Sequence, residues 1–113
     1  MKIVTLPLPS KILSPNARVH WMRLSVAKKA ARRLAAMMAF HQVGIYKFEG
    51  YRLDFYWPDA RRRDDDNAST SCKAYLDGIS DCVGQDDSNW KHNGVQFFID
   101  RKNPRVEIVF TQL

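Results

Sequence analysis

Three arginines run directly into three aspartates at Arg61-Arg62-Arg63-Asp64-Asp65-Asp66, with Pro58-Asp59 ahead of them and Asn67 behind. Adjacent carboxylates repel one another, so three in a row call for a compensating charge. A divalent cation supplies it directly. Hard oxygen donors suit Mg²⁺, which binds through a few carboxylates and keeps several waters. Capping explains part of the pattern, because Asp66 or Asn67 can close the start of a following helix, where the dipole also favours acids. One cap does not use three acids. The run is no EF-hand, since Ala68 and Ser69 stand where that loop needs Asp or Asn and then Gly.

A second acidic pair, Asp86-Asp87, follows some twenty residues later, and Lys73 lies between the two groups. A Mg²⁺ ion held by Asp64, Asp66 and Asp87 would acidify a water, orient it for in-line attack and neutralise charge on a phosphoryl oxygen. Lys73 would add electrostatic stabilisation. Asp66, Thr70, Lys73 and Asp77 are spaced 4, 3 and 4 apart and form one ridge if the segment is helical. Helical side chains lean toward the N-terminus, so Lys73 is expected to point back at the first acids. Its simpler role is an ion pair with Asp77 or Asp66.

The elements that must position these groups are legible from periodicity. Lys2 to Leu6 is a strand candidate, and Pro7, Pro9 and Pro15 keep the chain out of helix up to Arg18. A helix is predicted from about Ser25 to Gly44, with Ala27, Ala30 or Ala31, Leu34, Met38 and His41 or Phe40 facing inward. Lys28, Lys29, Arg32 and Arg33 share its opposite arc, as a solvated face or a DNA contact. Tyr51, Leu53, Phe55 and Trp57 alternate as a strand that Pro58-Asp59 ends. A second helix follows, with the stripe Ala68, Cys72, Tyr75, Leu76, Ile79, Val83 and a stop at Gly84. Such a helix is about 24 Å long. For Asp87 to join Asp64, the loop after Gly84 must therefore double back, or Asp87 must come in from the start of the next strand beside the one ending at Trp57. Val95, Phe97 and Ile99 form that strand; Arg101 to Pro104 turns, and Val106, Ile108 and Phe110 return as its hairpin partner. The expected architecture is α+β, a single domain over residues 1–113 in the order β-α-β-α-β-β, with two helices on a mixed sheet of about four strands.

Charge distribution suggests the partner. The chain carries a net charge of +6 with a pI near 9.6, and nine basic residues precede the first acid, Glu49. A basic surface beside an acidic focus suits a polyanionic substrate held near a metal. The two cysteines, Cys72 and Cys82, have no zinc spacing and read as reduced, mostly buried thiols. No apolar run approaches the roughly 20 residues of a membrane span, and the stretch at Met1 to Pro7 is too short for a signal peptide. The expectation is a cytoplasmic protein with no membrane partner.

The ensemble resembles the RusA-type Holliday-junction resolvases of phages and prophages. The resemblance covers nearly the whole chain. It rests on Pro58-Asp59-x-Arg61-Arg62-Arg63-Asp64-x-Asp66-Asn67, then Lys73, Asp77-Gly78-Ile79 and Asp86-Asp87. Leu6-Pro7-Leu8-Pro9 and Ser14-Pro15-Asn16-x-Arg18-x-His20-Trp21 resemble the phage branch. It implies a Mg²⁺-dependent homodimer that makes paired nicks across four-way DNA junctions. The family's three aspartates fall on Asp64, Asp66 and Asp87, with Asp86 the fallback for the third; its lysine falls on Lys73. Here that lysine is six residues past Asn67, three more than in shorter relatives. Three residues turn a helix by roughly 300°, which keeps the face and shifts the lysine along it. Asp65 stands where an apolar residue is usual.

Candidate DNA contacts are Asn16, Arg18 and His20 in the irregular N-terminal segment, Lys28, Lys29, Arg32 and Arg33 on the first helix, and Arg61, Arg62, Arg63 and Asn67 at the acidic motif. Trp21 is expected in the core, with DNA contact the alternative. At least one motif arginine is expected to pair with an aspartate. The competing function is a junction-binding dimer that does not cut.

Overall fold

Alternation along β2 (Phe48–Trp57) turns Leu53 and Phe55 to one side of a sheet and Arg52 and Asp54 to the other. Leu53 pairs with Ile108 and Phe55 with Val106 on β4 (Arg105–Gln112), and Val4 and Leu6 of β1 (Lys2–Leu6) pair with the same two β4 residues from its far side. These side chains form the inner face of the sheet, where Leu53, Phe55, Ile108 and Phe110 are wholly buried. On the outer face polar groups pair among themselves: Arg52 with Asp54, and Arg105 with both Asp100 and Glu107.

The computed structural model describes Met1–Leu113. It is α+β, a four-stranded mixed sheet in the order β1-β4-β2-β3 packed against α1 (Trp21–Gln42), α2 (Asp65–Ser71) and α3 (Lys73–Val83). Short 3-10 turns occur at Lys11–Leu13 and Asp87–Asn89. No helix is long and apolar enough to cross a membrane.

Three sequence expectations change. The expected C-terminal hairpin is absent: β3 (Lys91–Ile99) runs parallel to β2 at the sheet edge, and β4 crosses over to lie between β1 and β2. Burial explains the order, because Val106, Ile108, Val109 and Phe110 are all covered while β3 remains mostly exposed. The second helix is two helices. Its Ser69-Thr70-Ser71 run offers hydroxyls that compete for backbone groups. Ser71 Oγ donates to Ala68 O at 2.6 Å, the Cys72 N–H turns to Ser69 O, and Cys72 stands at φ −91°, ψ 0°. The predicted stripe from Ala68 to Val83 is nevertheless buried throughout. Finally, α1 starts at Trp21 rather than Ser25, capped by His20, whose Nδ1 accepts the Met22 N–H at 3.2 Å.

The buried row of α1 is Ala31, Ala35, Ala39, with Leu34 and Met38 packed alongside; Phe40 and His41 are exposed. Small residues let α1 lie against α3 at close range. A β-carbon on Gly78 would stand 2.1 Å from Arg32 O, so only glycine fits there. Two glutamines fasten the flanks of the sheet. Gln42 exchanges hydrogen bonds with the main chain of Thr5 (2.7 and 2.9 Å), and Gln85 does the same for Phe48 (2.8 and 2.8 Å). The second clamp fixes the loop that carries Asp86 and Asp87.

Candidate functional site

The acidic motif is built by a folded loop. Pro58 ends β2, and Asp59 Oδ1 accepts the Arg61 N–H at 3.0 Å, an Asx turn. Arg63 then locks the loop. Its guanidinium lies 4.2 Å from the Trp57 ring centroid and donates to Asp59 O, Arg61 O and Asp59 Oδ1 at 2.9 to 3.1 Å. The Arg61 N–H and the Arg63 guanidinium hold the Asp59 carboxyl below its ordinary range. Arg63 was expected to face DNA; it is instead committed inward, and its partner is Asp59 rather than the aspartate run. Arg61 and Arg62 are exposed and make no ion pair.

Asp64, not Asp66 or Asn67, caps α2: its Oδ1 accepts the Asn67 N–H at 3.0 Å. Asp65 and Asp66 occupy the first turn, where the helix dipole favours them. All three are exposed and line one open cleft with Arg62 and Arg63. None of the seven ion pairs of the molecule involves any of the three. Cap geometry uses one oxygen of Asp64 and leaves the rest of the trio's carboxylate oxygens turned to solvent.

Asp87 is placed differently. Because β3 is parallel to β2, its first residue pairs with Gly50 near the start of β2, not with the end at Trp57. The loop after Gly84 (φ +69°) does double back, and it brings Asp87 to Lys73. Lys73 Nζ donates to Asp87 Oδ2 at 2.6 Å and to Asp77 Oδ1 at 2.9 Å. These two bonds, Asp87 first, raise the Lys73 pKa. The expected backward lean toward Asp66 is thus replaced by a reach toward the later acids. The break at Cys72 also interrupts the ridge expected from Asp66 to Asp77. Asp86 caps the following 3-10 turn through the Ser88 N–H (2.9 Å), which lowers its pKa. No three carboxylate, histidine or thiol groups converge into one set of ligands.

A basic groove lies beside these groups. Residues 12–15 with Ala17, the first three turns of α1 and the α2–α3 junction enclose about 590 Å³. Lys28, Lys29, Arg32 and Lys73 line it with the hydroxyls of Ser25 and Thr70. Arg32 is pinned by Asp81 through two bonds of 2.5 and 2.7 Å, whereas Lys28, Lys29 and Arg33 are exposed and make no ion pair. Asn16, Arg18 and His20 are exposed on the neighbouring segment. Trp21, expected in the core, is 71% exposed at the edge of the groove. Continuing the buried row back from Ala31 in steps of four gives Ala27 and Arg23, never residue 21; that was the available signal.

No family model matches this chain. An uncharacterized protein of Xylella fastidiosa (strain Temecula1) is 50% identical to it over an alignment 95 residues long, and the match takes in 77% of this chain. The chain spans 61% of that relative's length.

Proposed function

We propose that this chain is a Mg²⁺-dependent DNA endonuclease that acts as a homodimer on four-way junctions. The observation that carries the reading is the exposed Asp64-Asp65-Asp66 trio, without an ion-pair partner, fixed at a helix start beside a groove rich in cations. Proteins seldom leave adjacent carboxylates uncompensated, and the donor set fits the ion. Mg²⁺ needs only one or two carboxylates and retains its waters; Asp64 and Asp66 would hold it. When bound, the ion supplies Lewis-acid stabilisation of the phosphoryl oxygens and a more acidic water for in-line attack.

The chain's own residues do the remaining work in this reading. Arg63 and Asp59 hold the loop, so the two carboxylates are positioned before substrate arrives. Lys28, Lys29, Arg33, Arg61 and Arg62 bind backbone phosphates, a salt-sensitive interaction. Lys73 keeps Asp87 neutralised until a phosphate competes for its ammonium group. A two-fold dimer offers one acidic site per subunit, which matches the approximate two-fold symmetry of a four-way junction.

The second reading, a junction binder that does not cut, draws on one observation: Asp87 is engaged by Lys73 rather than gathered with Asp64 and Asp66. Incubating the protein with a synthetic four-way junction and a linear duplex, with and without Mg²⁺, separates them. Paired nicks in the junction alone, dependent on Mg²⁺ and made at substoichiometric protein, support the endonuclease. Tight binding without nicking leaves the binder.

A further inference from the structure

We infer that the groove between the N-terminal segment and α1 is a seat for an unpaired nucleotide, with the Trp21 indole as the surface on which its base stacks. The inference rests on reading the chain as a DNA-binding protein, and it adds which feature of the DNA is recognised here.

Four observations converge on it. Trp21 is 71% exposed at the edge of the groove, although burying an indole is strongly favourable. Its ring is held in place: the His20 ring stacks on it at 5.6 Å between centroids and 29° between planes. His20 is itself fixed, since Nδ1 accepts the Met22 N–H. That acceptor role requires the neutral tautomer with hydrogen on Nε2, which leaves an N–H donor on the exposed edge. About two turns further along the same helix, Lys28 and Lys29 reach the groove without an acidic partner. Asp77, which also lines the groove, is taken by Lys73, and Asp81 by Arg32.

An aromatic face next to unpaired cations is the combination that binds single-stranded nucleic acid, base on ring and phosphate on lysine. A paired base keeps its faces inside the duplex stack and cannot use the indole. At about 590 Å³ the groove is the size of a small-ligand pocket, enough for one or two nucleotides and not for a duplex. The one acid in the groove's lining, Asp77, is paired with Lys73, and the lysines argue against an apolar peptide as occupant.

Binding is read in EDTA, so that cutting plays no part, with the oligonucleotide dT6 and a blunt linear duplex as probes. Tryptophan fluorescence of the wild type is expected to be quenched by dT6. Trp21→Ala is expected to weaken dT6 binding about tenfold, by anisotropy of labelled dT6, because a stacked base contributes on that order. Trp21→Phe should stay within about threefold and lose most of the quench, and duplex binding should be unchanged in both. Trp21 is exposed, so the variants should keep the wild-type circular dichroism spectrum. If the wild type fails to bind dT6, or Trp21→Ala binds it as the wild type does, the inference is overturned. Equal Trp21-dependent losses for duplex and dT6 also overturn it. Junction nicking is scored separately: nicking without any Trp21 effect on dT6 leaves the nuclease and removes the seat, and stacking without nicking does the reverse.

Discussion

The two acidic groups of this protein share a chemistry and differ in company. At the start of α2, Asp64, Asp65 and Asp66 stand in the open with no cation bonded to them, although Arg62 and Arg63 line the same cleft. Around Lys73, the first residue of α3, Asp77 and Asp87 are both bonded to its ammonium group, and Asp87 is largely covered. The second group is already neutralised within the fold. The first is held in position by a loop whose arginine is bonded elsewhere, so its charge remains available. Carboxylates that the fold positions but does not neutralise are the ones suited to a cation from solution.

The largest effect that would test this contrast is on the trio. Asp64→Asn and Asp66→Asn are each expected to lower Mg²⁺-dependent junction nicking by at least about a hundredfold, since a metal supplies several kcal/mol of transition-state stabilisation. Junction binding should be kept or tightened, because charge repelling the phosphates is removed. Asn is also a good cap, so Asp64→Asn should melt near the wild type, whereas Asp64→Ala loses about 1 kcal/mol. Nicking of either Asn variant at the wild-type rate would assign the metal elsewhere.

Lys73→Ala should lower nicking less strongly than either Asn variant, and it leaves Asp77 and Asp87 without their shared cation. A larger loss than that of Asp66→Asn would invert the comparison and make the second group the centre of the site.

The loop provides the next test. Arg63→Ala removes a ring-stacked cation and three hydrogen bonds and should cost about 1–2 kcal/mol in urea denaturation. Arg63→Lys should restore little of it, because an ammonium cannot stack and fork at once. A wild-type midpoint for Arg63→Ala would show that the trio is positioned by something other than this arginine.

The smallest effect is a pH dependence. Asp59 has a carboxyl pKa below its ordinary 3.8 in the folded protein. Its contribution is fully present above 3.8 and is lost only as the pH falls through the lower folded value. Trp57 fluorescence, which reports the stacked Arg63, should stay flat from pH 7 to about 4 and change below that; Asp59→Asn should remove the step.

Much of this was legible in the sequence. Period-two alternation located β2, a 3-4 stripe located the buried face of α2 and α3, and Gly84 marked their end, because local backbone preference and burial agree at those residues. The motif Arg61 to Asn67 was visible as three cations run directly against three acids. Other features depended on competition between distant groups. Nothing local says that Arg63 chooses Trp57 and Asp59 over its neighbour Asp64, or that Arg32 chooses Asp81. The exposed Trp21 was hidden by its own type, since an indole is usually read as core.

What the sequence determined by itself, then, is the set of elements and the chemical inventory: a cationic N-terminal half, a helix opened by acids, a lysine between two acidic groups. Tertiary structure decided the partnerships. Laying β4 between β1 and β2 makes β3 a parallel edge strand, and that places Asp87 at the start of β2, within reach of Lys73 and away from the end of the strand that leads to Asp64. Periodicity reports which face of an element is buried; only strand order, set by how much apolar surface each strand must cover, reports which ends of those elements meet.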